Sequence, residues 1–440
     1  MRWPVKLWNS HWAFHRTDYG YLNHTMTAKQ LSLFDAVKDV FASCGDRPIS
    51  NAELYQKAAK KVGIPLVDLQ EKKPIGEKGG LHSPITRSIR WCQQDMKRLG
   101  WIERVSNARG LWQLTGKGKS ELRKSRPGVK LIAFSTKLGV AVWGLCEDVF
   151  KGLGEDTVSL CLTSPPYPLR QQRAYGNPDA SEYVDFICRS LEPVVKSLKR
   201  GGSVVLNIGN DCFLTGSPAR STYIERMVIA LEDRFGLYKM DQFVWHNPSK
   251  PPAPIQWASK QRMQLNTAWE PIYWFSNDPS LVEADNRRVL QPHTEKHLKY
   301  LHRTWYEKPR TSADGAYRIS ENSFNKVTAG RIPRNVLTYS HTCASQRDYK
   351  RNARSLGLPP HGAPFPLHLV RFLVEFLTAP GSLVVDPFSG SFTTGLAAEL
   401  LGRQWIGSEC MWEYVRGAAT RFIDSDGFWM NPEFEGLLAA

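Results

Sequence analysis

The sequence predicts an α/β protein with a parallel sheet and a small winged-helix domain before it. Helix start and stop signals followed by a hairpin pattern occupy residues 27–130. Short apolar strands alternate with helices over 139–276, and the same pattern resumes over 361–425. Between these halves, residues 277–360 are poorly periodic and rich in basic and aromatic side chains, which predicts an insertion that interrupts one α/β domain.

The composition favours a polyanionic partner. The 440 residues suffice for two or three domains, and 58 Lys plus Arg against 42 Asp plus Glu give a formal charge of +16. The 8 cysteines form no C-x-x-C pair or zinc spacing, which indicates reduced thiols and no metal site. Because no apolar stretch approaches the roughly 18 residues of a membrane span and no signal peptide opens the chain, we expect a cytoplasmic protein.

The first segment predicts a winged helix. Residues 1–26 lack periodicity and are predicted as a tail, so the native start is either Met1 or Met26. Capping patterns at Ser50 and Ser83 open two helices, of which the second is long and basic and stops at Gly100. Alternating strands over 101–105 and 111–115 then form a hairpin. The functional interpretation is DNA contact, and the alternative is a protein-interaction or structural module. The candidate phosphate contacts are Arg87, Arg90, Lys97 and Arg109.

The sharpest motif of the α/β part is Thr163-Ser164-Pro165-Pro166-Tyr167, directly after an apolar strand. Open α/β sheets bind ligands at the carboxyl ends of their strands, and the two prolines predict a rigid turn there. The Ser164 hydroxyl and the Pro165 carbonyl would supply two hydrogen-bond acceptors, as an exocyclic amine needs, and Tyr167 would stack on an extruded base. The alternative is an ordinary surface turn or polyproline segment.

A second motif predicts a nucleoside site. The strand ending at Asp386 leads into Pro387-Phe388-Ser389-Gly390 and then a helix of small residues. About twenty residues further on, the next strand ends at Glu409, whose carboxylate could bind ribose hydroxyls.

The insertion, together with Lys250, supplies basic candidates for DNA contact. Most should anchor phosphates, while a few read base edges, and the alternative is a solvated basic face. The candidates are Lys250, Arg287, Arg288, Arg303, Arg310, Arg331 and Arg334.

Together these motifs resemble the permuted, or beta-class, amino-methyltransferases of restriction–modification systems, and they are close to the PvuII-type cytosine-N4 methyltransferases. The N-terminal run over 83–115 resembles the Mrr-type winged-helix domain. Further stretches that carry the resemblance are Tyr175-Gly176-Asn177, Glu182-Tyr183-Val184-Asp185, Asn247-Pro248-Ser249-Lys250, Trp274-Phe275-Ser276 and His361-Gly362-Ala363-Pro364-Phe365-Pro366.

The resemblance implies a Rossmann-like methyltransferase sheet that uses S-adenosylmethionine, with residues 277–360 as the target-recognition region. It implies methyl transfer to cytosine N4 in double-stranded DNA by base flipping, in the nucleoid of a bacterium or archaeon, beside a separately acting restriction endonuclease. Ser164, Pro165, Pro166 and Tyr167 would hold the target base. The cofactor residues would be Asp386, Pro387, Phe388, Ser389, Gly390, Glu409, Phe365 and Thr163.

Two alternatives remain open at this point. Adenine-N6 transfer uses the same chemistry, although its enzymes more often carry Asp or Asn where this chain has Ser164. The second alternative is a non-catalytic winged-helix DNA-binding regulator. Phe392 stands where the family commonly has glycine, which predicts a bulkier cofactor loop. Methylation at cytosine C5 is excluded because the chain has no Pro-Cys dipeptide to supply the thiolate. Either Glu147 or Asp148 could face the cofactor adenine.

Overall fold

A computed structural model describes residues 33, 36–38, 40, 41, 44, 47–75, 80–106, 108–116, 118, 124, 125, 127–168, 178–301, 309–320, 328–432 and 434. The chain divides after Leu122 into two compact units. The predicted tail over 1–26, the stretch Tyr175-Gly176-Asn177 and the predicted DNA contact Arg303 lie outside the described residues.

The first unit combines two helices with a small sheet. Its strands β1, β5 and β4 form one antiparallel sheet in that order, and β2 pairs with β3 in a second hairpin that the sequence did not predict. The elements are β1 (Ile49–Ser50), α1 (Asn51–Lys61), β2 (Lys73–Ile75), β3 (Gly80–His82), α2 (Pro84–Arg98), β4 (Ile102–Arg104) and β5 (Leu111–Leu114).

The predicted caps of the first unit are present. The Ser50 hydroxyl accepts a hydrogen bond from the Glu53 amide, and the Ser83 hydroxyl accepts one from the Thr86 amide, which begins α2 with Pro84 in its first turn. Helix α2 ends before Gly100, whose φ of 73° suits glycine. Helices followed by the β4–β5 wing confirm the predicted winged helix.

The second unit is built on one ten-stranded sheet in the order β14-β10-β11-β9-β8-β15-β16-β7-β6-β17. Its strands are β6 (Lys130–Ser135), β7 (Gly139–Gly144), β8 (Val158–Thr163), β9 (Leu198–Asn207), β10 (Tyr238–His246), β11 (Trp269–Ser276), β14 (Val336–Thr338), β15 (Leu383–Asp386), β16 (Gln404–Glu409) and β17 (Trp429–Met430), and β12 (Arg310–Thr311) pairs separately with β13 (Arg318–Ile319). Its helices are α3 (Cys146–Phe150), α4 (Tyr183–Lys196), α5 (Tyr223–Phe235), α6 (Glu295–Leu301), α7 (Ala344–Ser355), α8 (Leu367–Leu377), α9 (Thr393–Leu400) and α10 (Trp412–Ala419).

The sheet is mixed, which corrects the prediction of a parallel one. Strands β9, β8, β15, β16 and β7 are parallel, whereas β11 runs antiparallel to β9, β10 to β11 and β6 to β7. The alternation of strands and helices predicts the parallel centre, but β11 is a largely buried apolar strand, and its direction cannot be read from such a pattern. The α/β class itself is confirmed.

Both faces of the sheet are covered by apolar helices. On one face, α8, α9 and α10 pack around Leu373, Phe392 and Trp405. On the other face, α4 and α5 pack around Ile187 and Met227. Because both faces are buried, the central strands are apolar throughout, and all six residues of β8 are buried.

The predicted insertion is partly integrated into this sheet. Strand β14 pairs in parallel with β10, and α7 packs against α10. The Gln346 side chain of α7 also donates to the Pro364 carbonyl at 2.8 Å. The hairpin β12–β13 and helix α6 are exposed over much of their length. Among the residues described, no helix combines the length and apolar character that crossing a membrane would require.

Candidate active site

The site lies at one edge of the second unit's sheet, where several strand ends meet. Strands β9, β8, β15 and β16 are parallel, so their carboxyl ends at Asn207, Thr163, Asp386 and Glu409 share that edge. Strand β11 runs the other way beside β9, so its first residues, including Glu270, reach the same edge. The topology therefore brings five separate chain segments together.

The serine-containing turn and the aspartate loop are in contact. The Thr163 hydroxyl donates to the Asp386 carboxylate at 2.6 Å, and the Phe388 amide donates to the same oxygen at 3.0 Å. Thr163 is fully buried beneath the cavity, so its contact is with Asp386. Burial raises the pKa of the Asp386 carboxyl to about 6, and these hydrogen bonds oppose the rise.

Glu409 closes the loop after β15. One carboxylate oxygen accepts the Gly390 amide at 2.9 Å and the other accepts the Met411 amide at 2.8 Å. Each oxygen keeps a further lone pair, so the side chain could also accept from a ligand hydroxyl. Burial raises the pKa of the Glu409 carboxyl to about 7, so its charge depends on conditions near neutrality.

Phe392 lies beneath this loop and does not block it. Its φ of 56° is left-handed, and its ring is fully buried against Phe134 and Trp405, with centroid distances of 5.6 and 6.3 Å. Ser391 and Thr393 line the cavity on either side of it. The bulkier loop that the sequence predicts is therefore accommodated by the core, which removes the observation that favoured a non-catalytic protein.

Arg421 fixes the same loop from behind. Its buried guanidinium donates to the Ser391 carbonyl at 2.7 Å, to the Thr393 hydroxyl at 2.9 Å and to the Ser345 hydroxyl at 2.7 Å. Burial lowers the pKa of the Arg421 guanidinium to about 10. No local motif marks Arg421 as a site residue, because only the fold brings it to the loop.

A cavity of about 590 Å³ opens over these strand ends. The predicted residues that line it are Ser164, Pro165, Pro166, Tyr167, Phe365, Asp386, Pro387, Phe388, Ser389, Gly390 and Glu409. Glu147 also lines it, whereas Asp148 accepts a hydrogen bond from the Gly128 amide and does not line it. Over the described residues, no group of His, Cys, Asp or Glu side chains could hold a metal ion.

The residues of this cavity fit a nucleoside cofactor. A Cβ on Gly390, whose φ is 51°, would lie 3.0 Å from the His361 ring, so the turn is narrow where a ligand would pass. Glu409 supplies acceptors for hydroxyls, and the half-buried rings of Phe365 and Phe388 supply apolar walls.

At the other end of the cavity, Ser164 joins a hydrogen-bond chain. The Ser164 hydroxyl lies 2.9 Å from the Tyr167 hydroxyl, which donates towards Asn207 Oδ1 at 3.1 Å and Glu270 Oε2 at 3.3 Å. The Asn207 amide nitrogen donates to the Pro271 carbonyl at 3.3 Å, which fixes the direction of that amide. Asn207 and Glu270 were not predicted from the sequence, because no local motif marks them.

The predicted DNA contact Lys250 lies inside the cavity. Its ammonium is 3.1 Å from Glu270 and 3.5 Å from Asp211, and its side chain is 15% exposed. Asp211 also pairs with Arg220 at 3.0 Å and accepts from the Thr267 hydroxyl at 2.7 Å. This position supports a role in organising the cavity wall in place of a phosphate contact.

Comparison with known proteins identifies the family. The family model described as "DNA methylase" matches residues 158–420, and the one described as "Mrr N-terminal domain" matches residues 34–124. The chain belongs to the DNA methylase family. Among curated relatives, the type II methyltransferase M.PvuII of Proteus hauseri is 36% identical over 295 residues, which are 67% of this chain and 86% of the relative.

A second curated relative and a solved structure are also methyltransferases. The type II methyltransferase M.BamHI of Bacillus amyloliquefaciens is 23% identical over 290 residues, which cover 63% of this chain and 55% of that protein. The solved PvuII DNA methyltransferase (cytosine-N4-specific) matches with a TM-score of 0.52 and 32% identity, over 69% of this chain and 93% of that chain. The protein is therefore a DNA methyltransferase of the restriction–modification type, and its methyl donor is S-adenosylmethionine.

The predicted DNA contacts of the methylase lie in different surroundings. Arg310, Arg331 and Arg334 are exposed. Arg287 is exposed but pairs with Asp285 at 2.8 Å, and the half-buried Arg288 donates to the Thr378 carbonyl at 3.0 Å.

In the winged-helix unit, Arg90 is exposed and donates to the Tyr55 hydroxyl at 2.8 Å. Within the insertion, Arg310, Arg331 and Arg334 remain candidates for phosphate contact, and Arg331 also donates to the Pro292 carbonyl at 3.1 Å.

Proposed function

We propose that this methylase transfers the methyl group of S-adenosylmethionine to the N4 of a cytosine that has been flipped out of double-stranded DNA. The observation that carries the proposal is the shared cavity of Ser164 and the Asp386 loop, which follow adjacent parallel strands. Donor and acceptor can meet only if both are bound at one edge. The relative of known structure that matches at 32% identity is described as cytosine-N4-specific, which supports the same target here.

The Asp386 end would hold the cofactor. Glu409 would accept hydrogen bonds from the ribose hydroxyls, Phe365 and Phe388 would pack against the ligand, and Glu147 would face the adenine end. Asp386, held by Thr163, would set the loop of Pro387, Ser389 and Gly390 that borders the cofactor. When bound, the cofactor supplies a sulfonium-activated methyl group, so the protein need only position the acceptor and remove a proton.

The Ser164 end would hold the base. An exocyclic amine attacks only when its lone pair is freed from the ring, which requires acceptors for its hydrogens. The Ser164 hydroxyl and the Pro165 carbonyl are the proposed acceptors, and the Tyr167 ring would contact the base. Target recognition would fall to the segment 277–360, with Arg310, Arg331 and Arg334 as phosphate contacts.

The biological setting follows from the family. We infer that the methylase protects host DNA in the cytoplasm of a bacterium or archaeon, with a separately acting endonuclease of the same specificity. The winged-helix unit would add a second DNA contact near Arg90.

Nucleoside mass spectrometry tests the target base. DNA methylated by the purified protein is digested, and N4-methylcytosine is separated from N6-methyladenine. N4-methylcytosine alone is the expected product. N6-methyladenine would assign the adenine chemistry instead, and absence of S-adenosylmethionine binding in calorimetry would support a non-catalytic regulator.

A further inference from the structure

The hydrogen-bond chain at Ser164 has a fixed direction. A carboxylate has no proton to donate, and Asn207 presents its oxygen because its amide nitrogen donates to the Pro271 carbonyl. The single Tyr167 proton must therefore point towards Asn207 and Glu270. Ser164 is then the donor in the 2.9 Å contact with Tyr167, which leaves the Ser164 lone pairs available as acceptors.

Packing holds Tyr167 in this chain. A Cβ on Gly209 would lie 2.4 Å from the Tyr167 ring, so the ring rests directly on that glycine. Burial raises the pKa of the Tyr167 phenol well above its usual value. The Tyr167 hydroxyl therefore stays protonated. It can accept a proton from Ser164 only while it gives its own proton to another acceptor.

The chain of hydrogen bonds ends at a carboxylate that can take up a proton. Glu270 accepts from Tyr167 through one oxygen and pairs with Lys250 through the other at 3.1 Å, and its side chain is 20% exposed. Its place follows from the antiparallel direction of β11, which starts beside the end of β9. Asn207, at similar distance from Tyr167, can orient the phenol but cannot be protonated near neutral pH.

We propose that Glu270 is the positioning residue that receives, through Tyr167 and Ser164, the proton that the target amine loses on methylation. The inference rests on the proposed transfer to an exocyclic amine at Ser164. It assigns Tyr167 a proton-transferring hydroxyl in addition to any contact of its ring with the base.

The methyl-transfer step balances in atoms, electrons and protons. The amine nitrogen uses its lone pair to form the bond to the methyl carbon, and the electron pair of the broken carbon–sulfur bond stays on sulfur. The nitrogen then gives a proton to Ser164 Oγ, as the proton of Ser164 moves to Tyr167 and that of Tyr167 moves to Glu270. The products are a methylated amine, a neutral thioether and a neutral Glu270 carboxylic acid, which solvent then deprotonates.

Several charged or titratable groups face Glu270. Tyr167 and Lys250 contact it directly, Asp211 lies behind Lys250, and His341 and Tyr223 interact with it electrostatically. Burial lowers the pKa of His341.

Single-turnover methyl transfer from labelled S-adenosylmethionine to DNA, measured against pH, tests the proposal in the full chain. Glu270→Gln keeps an oxygen for Tyr167 but cannot take up the proton, so its rate should fall about 10²-fold or more, within the range of general acid–base contributions. With S-adenosylmethionine kept saturating at every pH, its acidic fall in rate should also disappear, while cofactor affinity in calorimetry at one pH stays that of the wild type. Tyr167→Phe should be slowed similarly, and adding Glu270→Gln to it should slow the reaction little further.

Controls separate this role from a structural one. Glu192→Gln removes another lysine-paired carboxylate, on α4, and should behave as wild type. His341→Asn should keep the acidic fall in rate, whatever its absolute rate. A wild-type rate and pH profile in Glu270→Gln would overturn the inference. If Glu270→Gln instead loses cofactor binding, the test passes to Tyr167→Phe, and normal methyl transfer by that variant would overturn the inference. If the wild type itself methylated no exocyclic amine, the proposed function would fail first.

Discussion

The Thr163 hydroxyl donates a 2.6 Å hydrogen bond to the Asp386 carboxylate, which lies 223 positions later in the chain. This contact joins the turn that begins at Ser164 to the loop that begins at Asp386, across the adjacent strands β8 and β15. Because these two parallel strands are neighbours, both motifs lie at one edge of a single sheet. The methyl donor and its acceptor can therefore be bound in one cavity.

Ser164→Ala should abolish most methyl transfer and leave cofactor binding intact. The Ser164 hydroxyl contacts Tyr167 beyond the end of β8, and strand β15 separates β8 from β16, which carries Glu409. We expect the single-turnover rate to fall about 10²- to 10⁴-fold, and calorimetry to give the wild-type affinity for S-adenosylmethionine. Ser355→Ala, an exposed serine at the end of α7, is the matched control. Full activity in Ser164→Ala would disprove the acceptor role.

Glu409 should make cofactor affinity depend on pH. Ribose hydroxyls donate to a carboxylate, so binding favours the ionised form, and the pKa of Glu409 is raised to about 7. Affinity should therefore strengthen from about pH 6 to about pH 8 and then level off. Glu409→Gln should bind more weakly and lose this dependence, whereas Asp148→Asn should retain it. Unchanged pH dependence in the Gln variant would assign the titration to Asp386.

The stability of the cofactor-free protein should have the opposite pH dependence. Because the folded state holds the Glu409 proton more tightly than the unfolded state, this contribution is fully present below the ordinary pKa of 4.5 and is lost as the pH rises through about 7. Urea unfolding should therefore show a declining free energy of unfolding over that interval. Glu409→Gln should flatten the decline, and an equal slope in both proteins would contradict the assignment.

Phe392→Gly should destabilise the protein, although it restores the residue common in the family. Removing a buried Phe side chain costs about 3–5 kcal/mol, whereas relief of the left-handed backbone recovers roughly 1 kcal/mol. The free energy of unfolding in urea should fall by about 2–4 kcal/mol. Arg262→Gly relieves a similar φ of 55° at an exposed site and should change stability little. A stabilised Phe392→Gly would show that the ring contributes nothing to the core.

The exposed arginines of the insertion should set the salt dependence of DNA binding. If Arg331 and Arg334 each contact one phosphate, the double alanine variant should reduce the slope of log affinity against log salt by about 1.8. Fluorescence anisotropy of labelled DNA over a salt series measures this slope. Arg234→Ala on α5 is the control, and Lys250→Met should also keep the wild-type slope because that ammonium pairs with carboxylates. An unchanged slope in the double variant would place the phosphate contacts elsewhere.

The sequence predicts what depends on local pattern. The strands that end at Thr163, Asp386 and Glu409 are apolar runs bounded by turns, and the cap at Ser83 is a local motif, so each appears where the pattern indicates. Because parallel strands end at the same edge of an α/β sheet, these strand ends meet there. The assigned roles of these residues in binding and transfer stay predictions.

Other features depend on contacts between distant segments. Glu270 reaches the cavity because β11 runs antiparallel to β9, and a buried apolar strand does not reveal its direction. The positive charge of Lys250 predicts a DNA contact, yet the carboxylates of Asp211 and Glu270, from other segments, lie beside its ammonium. Phe392 enters the core through a left-handed backbone conformation that its residue type disfavours.

The pairing of β8 with β15 also constrains how the protein is made. Strand β8 leaves the ribosome long before β15, so until synthesis nears its end one side of β8 has no strand to pair with. Contacts of such high sequence separation form slowly, which exposes a nascent apolar edge to aggregation and to chaperones. A prematurely terminated chain would hold the Ser164 turn without its neighbour strand, so modification of the host genome can begin only after translation is almost complete.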